Sequence, residues 1–147
     1  IKHGIYTKEE IEARAEIHIE NYSAVISIEA KTMIDMIRHQ ILPAVSKYAD
    51  ALCQRAYHKD AMHLPCQYET GTAARIAALT DTLMACCDKL ERDLAAIPEE
   101  TMDAMCYCHN VLIPDMADAR KAADQLETLT DSEFWPFPVY SDLLFYV

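Results

Sequence analysis

Cysteine and histidine are the side chains of this 147-residue chain best suited to hold a metal or to act as nucleophile and base, and there are six of each. Two groupings invite attention. Cys106-x-x-His109 sets a thiol and an imidazole on one face of a helix, and His58, His63 and Cys66 surround a stretch with loop character. A zinc centre needs three or four ligands converging on one point, and neither grouping supplies them. A two-metal carboxylate site in a helical bundle needs Glu-x-x-His on two helices; the nearest approach here is Asp60-x-x-His63. Nucleophilic catalysis also needs free N–H donors to hold an oxyanion, and a helix interior has none to give. Cys86 and Cys87 are adjacent and Cys106 and Cys108 lie two apart, a poor layout for disulfides. The expectation is reduced, small, buried thiols, with Cys106 beside a helix histidine and the His58–Cys66 stretch an exposed polar loop.

Composition narrows the alternatives. Only Gly4 and Gly71 occur, too few for a phosphate-cradling loop, a dinucleotide-binding turn or a row of hairpins. The net charge of −11 opposes binding to nucleic acid or to an anionic membrane surface, both of which select a basic face. No apolar run approaches the roughly 20 residues of a membrane span. The remaining residues are rich in helix formers.

Three helices are expected to position these groups, over about 8–58, 72–97 and 98–129, with a tail at 130–147. Thr7-Lys8-Glu9-Glu10 reads as a capping box. From there Ile11, Ala15, Ile19, Tyr22, Ile26, Met33 and Ile37 recur at helical spacing, and Ile34, Ile41, Val45 and Leu52 form a second set about 100° round. Pro43 is expected to kink this helix without ending it, and Pro114 to do the same in the third. Glu10–Arg14 and Asp88–Arg92 are spaced as i,i+4 ion pairs. His58 to Gly71 reads as a surface loop, and Pro98 as the first residue of the third helix. The expected fold is all-α: one domain over residues 1–147, an antiparallel three-helix bundle with one very long Pro-kinked first helix and an extended aromatic C-terminal tail. The first helix outruns its partners, so its overhang needs a cover from the tail, another subunit or further polypeptide.

Glu29 falls within the first apolar set, between Ile26 and Met33. A carboxylate there needs a partner, and Arg120, Arg75 or a group from the rest of a longer protein is expected to provide it. The seven methionines read as core filler. The last segment, "DSEFWPFPVYSDLLFYV", holds the one Trp and all three Phe. Pro136 and Pro138 forbid helix locally and favour an extended path. Phe134, Trp135, Phe137 and Tyr140 are then expected to lie across finished helices, with Leu143, Leu144 and Phe145 as a second anchor. The chain begins with Ile rather than Met, which reads as a piece of a longer protein.

Two stretches carry a family resemblance. "GIYTKEEIEARAEIHIENYSAVISIEAKTMIDMI" followed by "ILPAVSKYA", and the closing "VLIPDMADARKAADQLETLTDSEFWPFPVYSDLLFYV", resemble the C-terminal helical region of bacterial type III glutamine synthetases. The middle, Asp50 to Asn110, is less distinctive. The resemblance implies a parent enzyme that joins ammonia to glutamate using ATP and magnesium, assembled as stacked hexameric rings in the cytoplasm. It implies that the β-rich catalytic core lies before this segment, so no catalytic, cofactor-binding or metal residue is carried over, and the segment alone is expected to be inactive. Its expected partners are the catalytic domain of the parent and neighbouring subunits. Glu29, Pro43, Arg120, Trp135, Pro136, Phe137, Pro138, Tyr140, Leu144 and Phe145 are the structural or interface candidates. The alternatives are a stand-alone helical scaffold or adaptor that binds a protein partner in a groove, and a metal or redox bundle built on the Cys and His residues.

Overall fold

Thr7 starts the first helix with the expected capping box: its N–H donates to Glu10 Oε2 (2.8 Å), and the Glu10 N–H donates to Thr7 Oγ1 (3.2 Å). The computed structural model describes residues 6–138 and 140–145, and for residues 140, 141 and 145 the backbone alone. Helix α1 (Lys8–Met36) passes through a π-turn (Ile37–Ile41) into α2 (Leu42–Ala61). Helix α3 (Gln67–Leu94) returns. The third leg is α4 (Thr101–Tyr107), a second π-turn (Cys108–Leu112) and α5 (Ile113–Leu129), and a short α6 (Tyr140–Phe145) follows the tail.

The interruptions expected at Pro43 and Pro114 take the form of these π-turns. Proline lacks an N–H, and its ring collides with the carbonyl four residues back in a regular α-helix. In each case the residue just before the proline reaches five residues back instead: the Leu42 N–H bonds Ile37 O, and the Ile113 N–H bonds Cys108 O. The widened turn takes in the ring while the helix continues.

Long-range pairs give the topology. Tyr22 meets His109 and Tyr48 meets Phe134, so the first and third legs run parallel. Arg38 meets Glu91 and Lys59 meets Glu69, so α3 runs against them. The core between them holds Ile34, Ile41, Val45 and Leu52 from the first leg, Ile76, Leu83 and Leu90 from α3, and Cys108, Leu112, Ala119 and Leu126 from the third. Each fully buried Leu or Ile contributes about 1.5–3 kcal/mol of transfer free energy. Of the first apolar set, Ile26 and Ile37 are buried, while Ile11 is exposed. Every residue of 6–18 is exposed, so the start of α1 projects from the bundle for about 16 Å at 1.5 Å per residue.

Several local expectations need correction. The loop is only residues 62–66, because α2 ends in a Schellman motif: the Leu64 N–H donates to Lys59 O (2.8 Å) and the His63 N–H to Asp60 O (2.9 Å). His63 takes the left-handed position of that motif at φ 58°. Gly71 lies inside α3. The third leg starts at Thr101 rather than Pro98, because the Glu100 side chain caps it by accepting from the Asp103 N–H (2.7 Å). Arg14 stacks on the Tyr6 ring (4.6 Å) instead of pairing with Glu10. Asp88 pairs with Arg38 rather than Arg92.

Candidate interaction site

The tail is shaped at Asp131. Thr130 leaves the helix in an extended conformation, and its hydroxyl donates back to Leu126 O (2.7 Å). The Asp131 side chain accepts from the Glu133 N–H (3.0 Å), and its carbonyl accepts from the N–H groups of Phe134 (2.9 Å) and Trp135 (3.1 Å). This tight turn throws the aromatics back onto the bundle. Phe134 packs on Tyr48 of α2, Trp135 is only 9% exposed, and Phe137 meets the Trp135 ring edge-on at 6.0 Å. Pro136 and Pro138 face solvent and keep Trp135 and Phe137 from turning helical. The strap therefore ends against the seam between the first helix and α5.

The tail does not take the extended path expected of it: residues 132–134 form a turn and 136–137 a bend. Past the last proline nothing opposes helix formation, and α6 forms. Leu143 and Leu144, expected as a second anchor, are 69% and 57% exposed. The side chains of Tyr140 and Phe145 lie outside the described residues.

Beside the strap, α1 and α5 enclose a cavity of about 450 Å3 with apolar walls from Met33, Met36, Ile37, Ala119, Ala123 and the Trp135 and Phe137 rings. Glu29, Arg120, Asp124 and Glu127 line it as well. The expected Glu29–Arg120 pair is not formed. Arg120 Nε sits 3.6 Å from Asp124 Oδ2, one turn along its own helix, and Glu29 is exposed. The buried face of α1 is centred on Ile26, Ala30 and Ile34, so Glu29, 100° from Ala30, falls at its margin, where water solvates it. Arg75 is also exposed.

Three ion clusters fix the helices to one another. Arg38 grips Glu91 with two hydrogen bonds (2.8 and 2.6 Å) and Asp88 with a third (3.0 Å), and these carboxylates raise its pKa further. Lys59 holds Glu69 (2.5 Å) and keeps that carboxyl below its ordinary range. Lys89 bridges Asp93 (2.9 Å) and Asp115 (2.5 Å). Burial pushes the Asp115 carboxyl up, while the Lys89 hydrogen bond holds Asp93 down. Glu69 Oε2 and Asp115 Oδ2 are buried without a hydrogen-bond partner. None of these groups lines the cavity, and their arrangement is that of structural clamps.

The clamps were not anticipated, though part of the signal is present. Glu69, Ile76, Leu83 and Leu90 recur every seven residues on one stripe of α3, and Asp115 sits beside Met116 on the buried face of α5. The cysteines differ from expectation. All six are free, but only Cys87 and Cys108 are buried, and burial pushes both thiols up. Cys53 and Cys106 are exposed. His109 stands 3.4 Å from the Tyr22 hydroxyl. Among the described residues no group of three or more His, Cys, Asp or Glu is set to hold a metal ion, and no helix is long and apolar enough to cross a membrane.

Fold and site define a helical bundle whose distinctive surface is an apolar seam closed by an aromatic strap. Residues 1–60 match the family model of the glutamine synthetase C-terminal domain. The chain is 32% identical to a glutamine synthetase of Butyrivibrio fibrisolvens, over 98% of this chain and 21% of that protein. It is 25% identical to a type-3 glutamine synthetase of Dictyostelium discoideum (97% and 20%), and 24% identical to a glutamine synthetase of Bacteroides fragilis (96% and 20%). Similarity to glutamine synthetases runs nearly the length of the chain. The chain spans about a fifth of the length of the curated relatives it matches.

Proposed function

We propose that this chain is the non-catalytic C-terminal assembly domain of a cytoplasmic type III glutamine synthetase, which joins ammonia to glutamate using ATP and magnesium. The observation that carries this reading is the similarity to glutamine synthetases over 98% of the chain. The proposed work of the domain is to pack on the catalytic domain and on neighbouring subunits. Ile11 and Ile17 on the projecting start of α1, and Leu143 and Leu144 on α6, support it: all four are large, apolar and exposed, the surface expected of an element that docks on something else.

ATP and its metal belong, in this reading, to another part of the parent enzyme. The described residues do not fit them. No acidic or histidine cluster is set for the metal, and Gly71 lies within a helix rather than in a phosphate-cradling loop. Assaying the 147-residue chain beside its full-length parent for ATP-dependent glutamine formation tests the assignment. The chain alone is expected to give none; turnover by the isolated chain refutes a non-catalytic role.

A further inference from the structure

The first helix and α5 run in the same direction and are bridged near one end by Tyr22 and His109 and at the other by the strap. Between these points lie two cavities of about 450 Å3 each, which share Glu29, Met33 and Arg120 and so form one groove. One end reaches Ile26 and the other Ile41 and Trp135. The fifteen-residue step from Ile26 to Ile41 spans roughly 22 Å of helix, room for about four turns of a further helix laid alongside. This is the place a fourth helix takes in a four-helix bundle.

The chemistry of the groove restricts the occupant. Its floor is apolar and includes Met33 and Met36, whose unbranched side chains adapt to varied shapes. Its rim carries three acids and one base, and the base is matched: Arg120 pairs with Asp124. Glu29 and Glu127 face the groove with no ion-pair partner among the described residues. A second copy of this chain is a poor fit. Each copy carries −11; α1, α3 and α5 each hold more acids than bases. In α2, the one described helix with a basic excess, Val45, Tyr48 and Leu52 are already in the core, which leaves Tyr57 as its one exposed large apolar side chain.

We propose that the groove docks a basic amphipathic helix of a different polypeptide. The helix lays apolar side chains at i, i+4, i+7 and i+11 on the floor and sets lysines or arginines against Glu29 and Glu127. This goes beyond the assembly reading and does not depend on it, because it follows from the shape and charge of the groove alone.

Trp135 lines the groove and is the only tryptophan, so its emission reports occupancy. The test titrates the 147-residue chain with three tryptophan-free synthetic peptides of about 20 residues: an amphipathic Leu/Lys helix, its Leu/Glu counterpart, and the Leu/Lys composition scrambled. The expected result is a saturable change in emission with the Leu/Lys helix alone, weakened by added salt. Glu29→Lys with Glu127→Lys, both at exposed positions, is expected to lower that affinity by about tenfold or more with unchanged circular dichroism. Glu9→Lys with Glu16→Lys, equal in charge but on the projecting start of α1, is expected to change it less than about twofold. Equal binding of the acidic and basic helices, an equal loss from both double variants, or no emission change with any peptide overturns the proposal. So does an emission change that tracks protein concentration alone and accompanies dimerisation in sedimentation, since a second copy then fills the groove.

Discussion

Phe134 rests on Tyr48, their ring centroids 5.3 Å apart and their planes tilted by 49°. Through this contact the end of the third leg is tied to α2, and the residues that follow are aimed at the α1–α5 seam. Tyr48 is itself buried, and burial pushes its hydroxyl pKa up, so the phenol stays neutral and serves as an apolar platform.

Trp135 completes that contact as part of the core. Trp135→Ala removes the largest side chain of the strap and leaves a space that the rigid helices cannot close. The expected loss is about 3 kcal/mol, read as a lower urea midpoint with little change in slope. A loss below about 1 kcal/mol means that the strap rests on the bundle without bracing it.

His63 holds a left-handed φ of 58° at the end of α2, a conformation that disfavours a β-carbon. His63→Gly relieves it and is expected to stabilise the chain by about 0.5–1 kcal/mol, net of the greater freedom of glycine in the unfolded chain. Thermal unfolding checks this; a lower melting temperature contradicts the Schellman geometry described here.

Glu69 has a folded-state pKa held below the ordinary value of 4.5 by Lys59. A lowered carboxylate pKa contributes stability that is present above the unfolded value and lost as pH falls through the folded one. Wild type is therefore expected to be more stable than Glu69→Gln at pH 7, with the gap shrinking on acidification below about 4.5. Urea midpoints measured across that range decide it, and a gap independent of pH rules the ion pair out as its source.

Lys89 and Asp115 make the opposite case. Burial raises the Asp115 pKa, so its contribution to stability is present at low pH and falls as pH rises through the folded value. Lys89→Met strands this carboxylate. The expected cost at pH 7 is on the order of 1–2 kcal/mol, since solvent reaches the lysine, and stability should then decline more steeply with rising pH. Adding Asp115→Asn is expected to recover part of the loss. A double variant no more stable than Lys89→Met shows that the charge was not the cause.

Much of this was legible because local rules are short-range. Thr7 and Glu10 form their box within one turn, and Ile34, Ile41, Val45 and Leu52 announce a buried face by spacing alone. Spacing does not give the centre of that face, so Glu29 read as interior while lying at its margin. Arg38 was missed because its partners Asp88 and Glu91 come from another helix, and no i,i+4 rule reaches them. The prolines announced an interruption, but its form depends on the five-residue hydrogen bond accepted by Ile37 O. The groove was hidden for a further reason: it exists only once α1, α5 and the strap are in place, and each of its walls separately reads as ordinary core.

The proposed role of this helical domain, closed by its aromatic strap, is assembly of a glutamine synthetase. The most direct test is the sedimentation mass of the full-length parent enzyme, intact and with its chain ended just before Trp135. The expected result is a smaller particle for the shortened enzyme, with ATP-dependent glutamine formation reduced alongside it. An oligomer of unchanged mass and full activity without the strap contradicts the account.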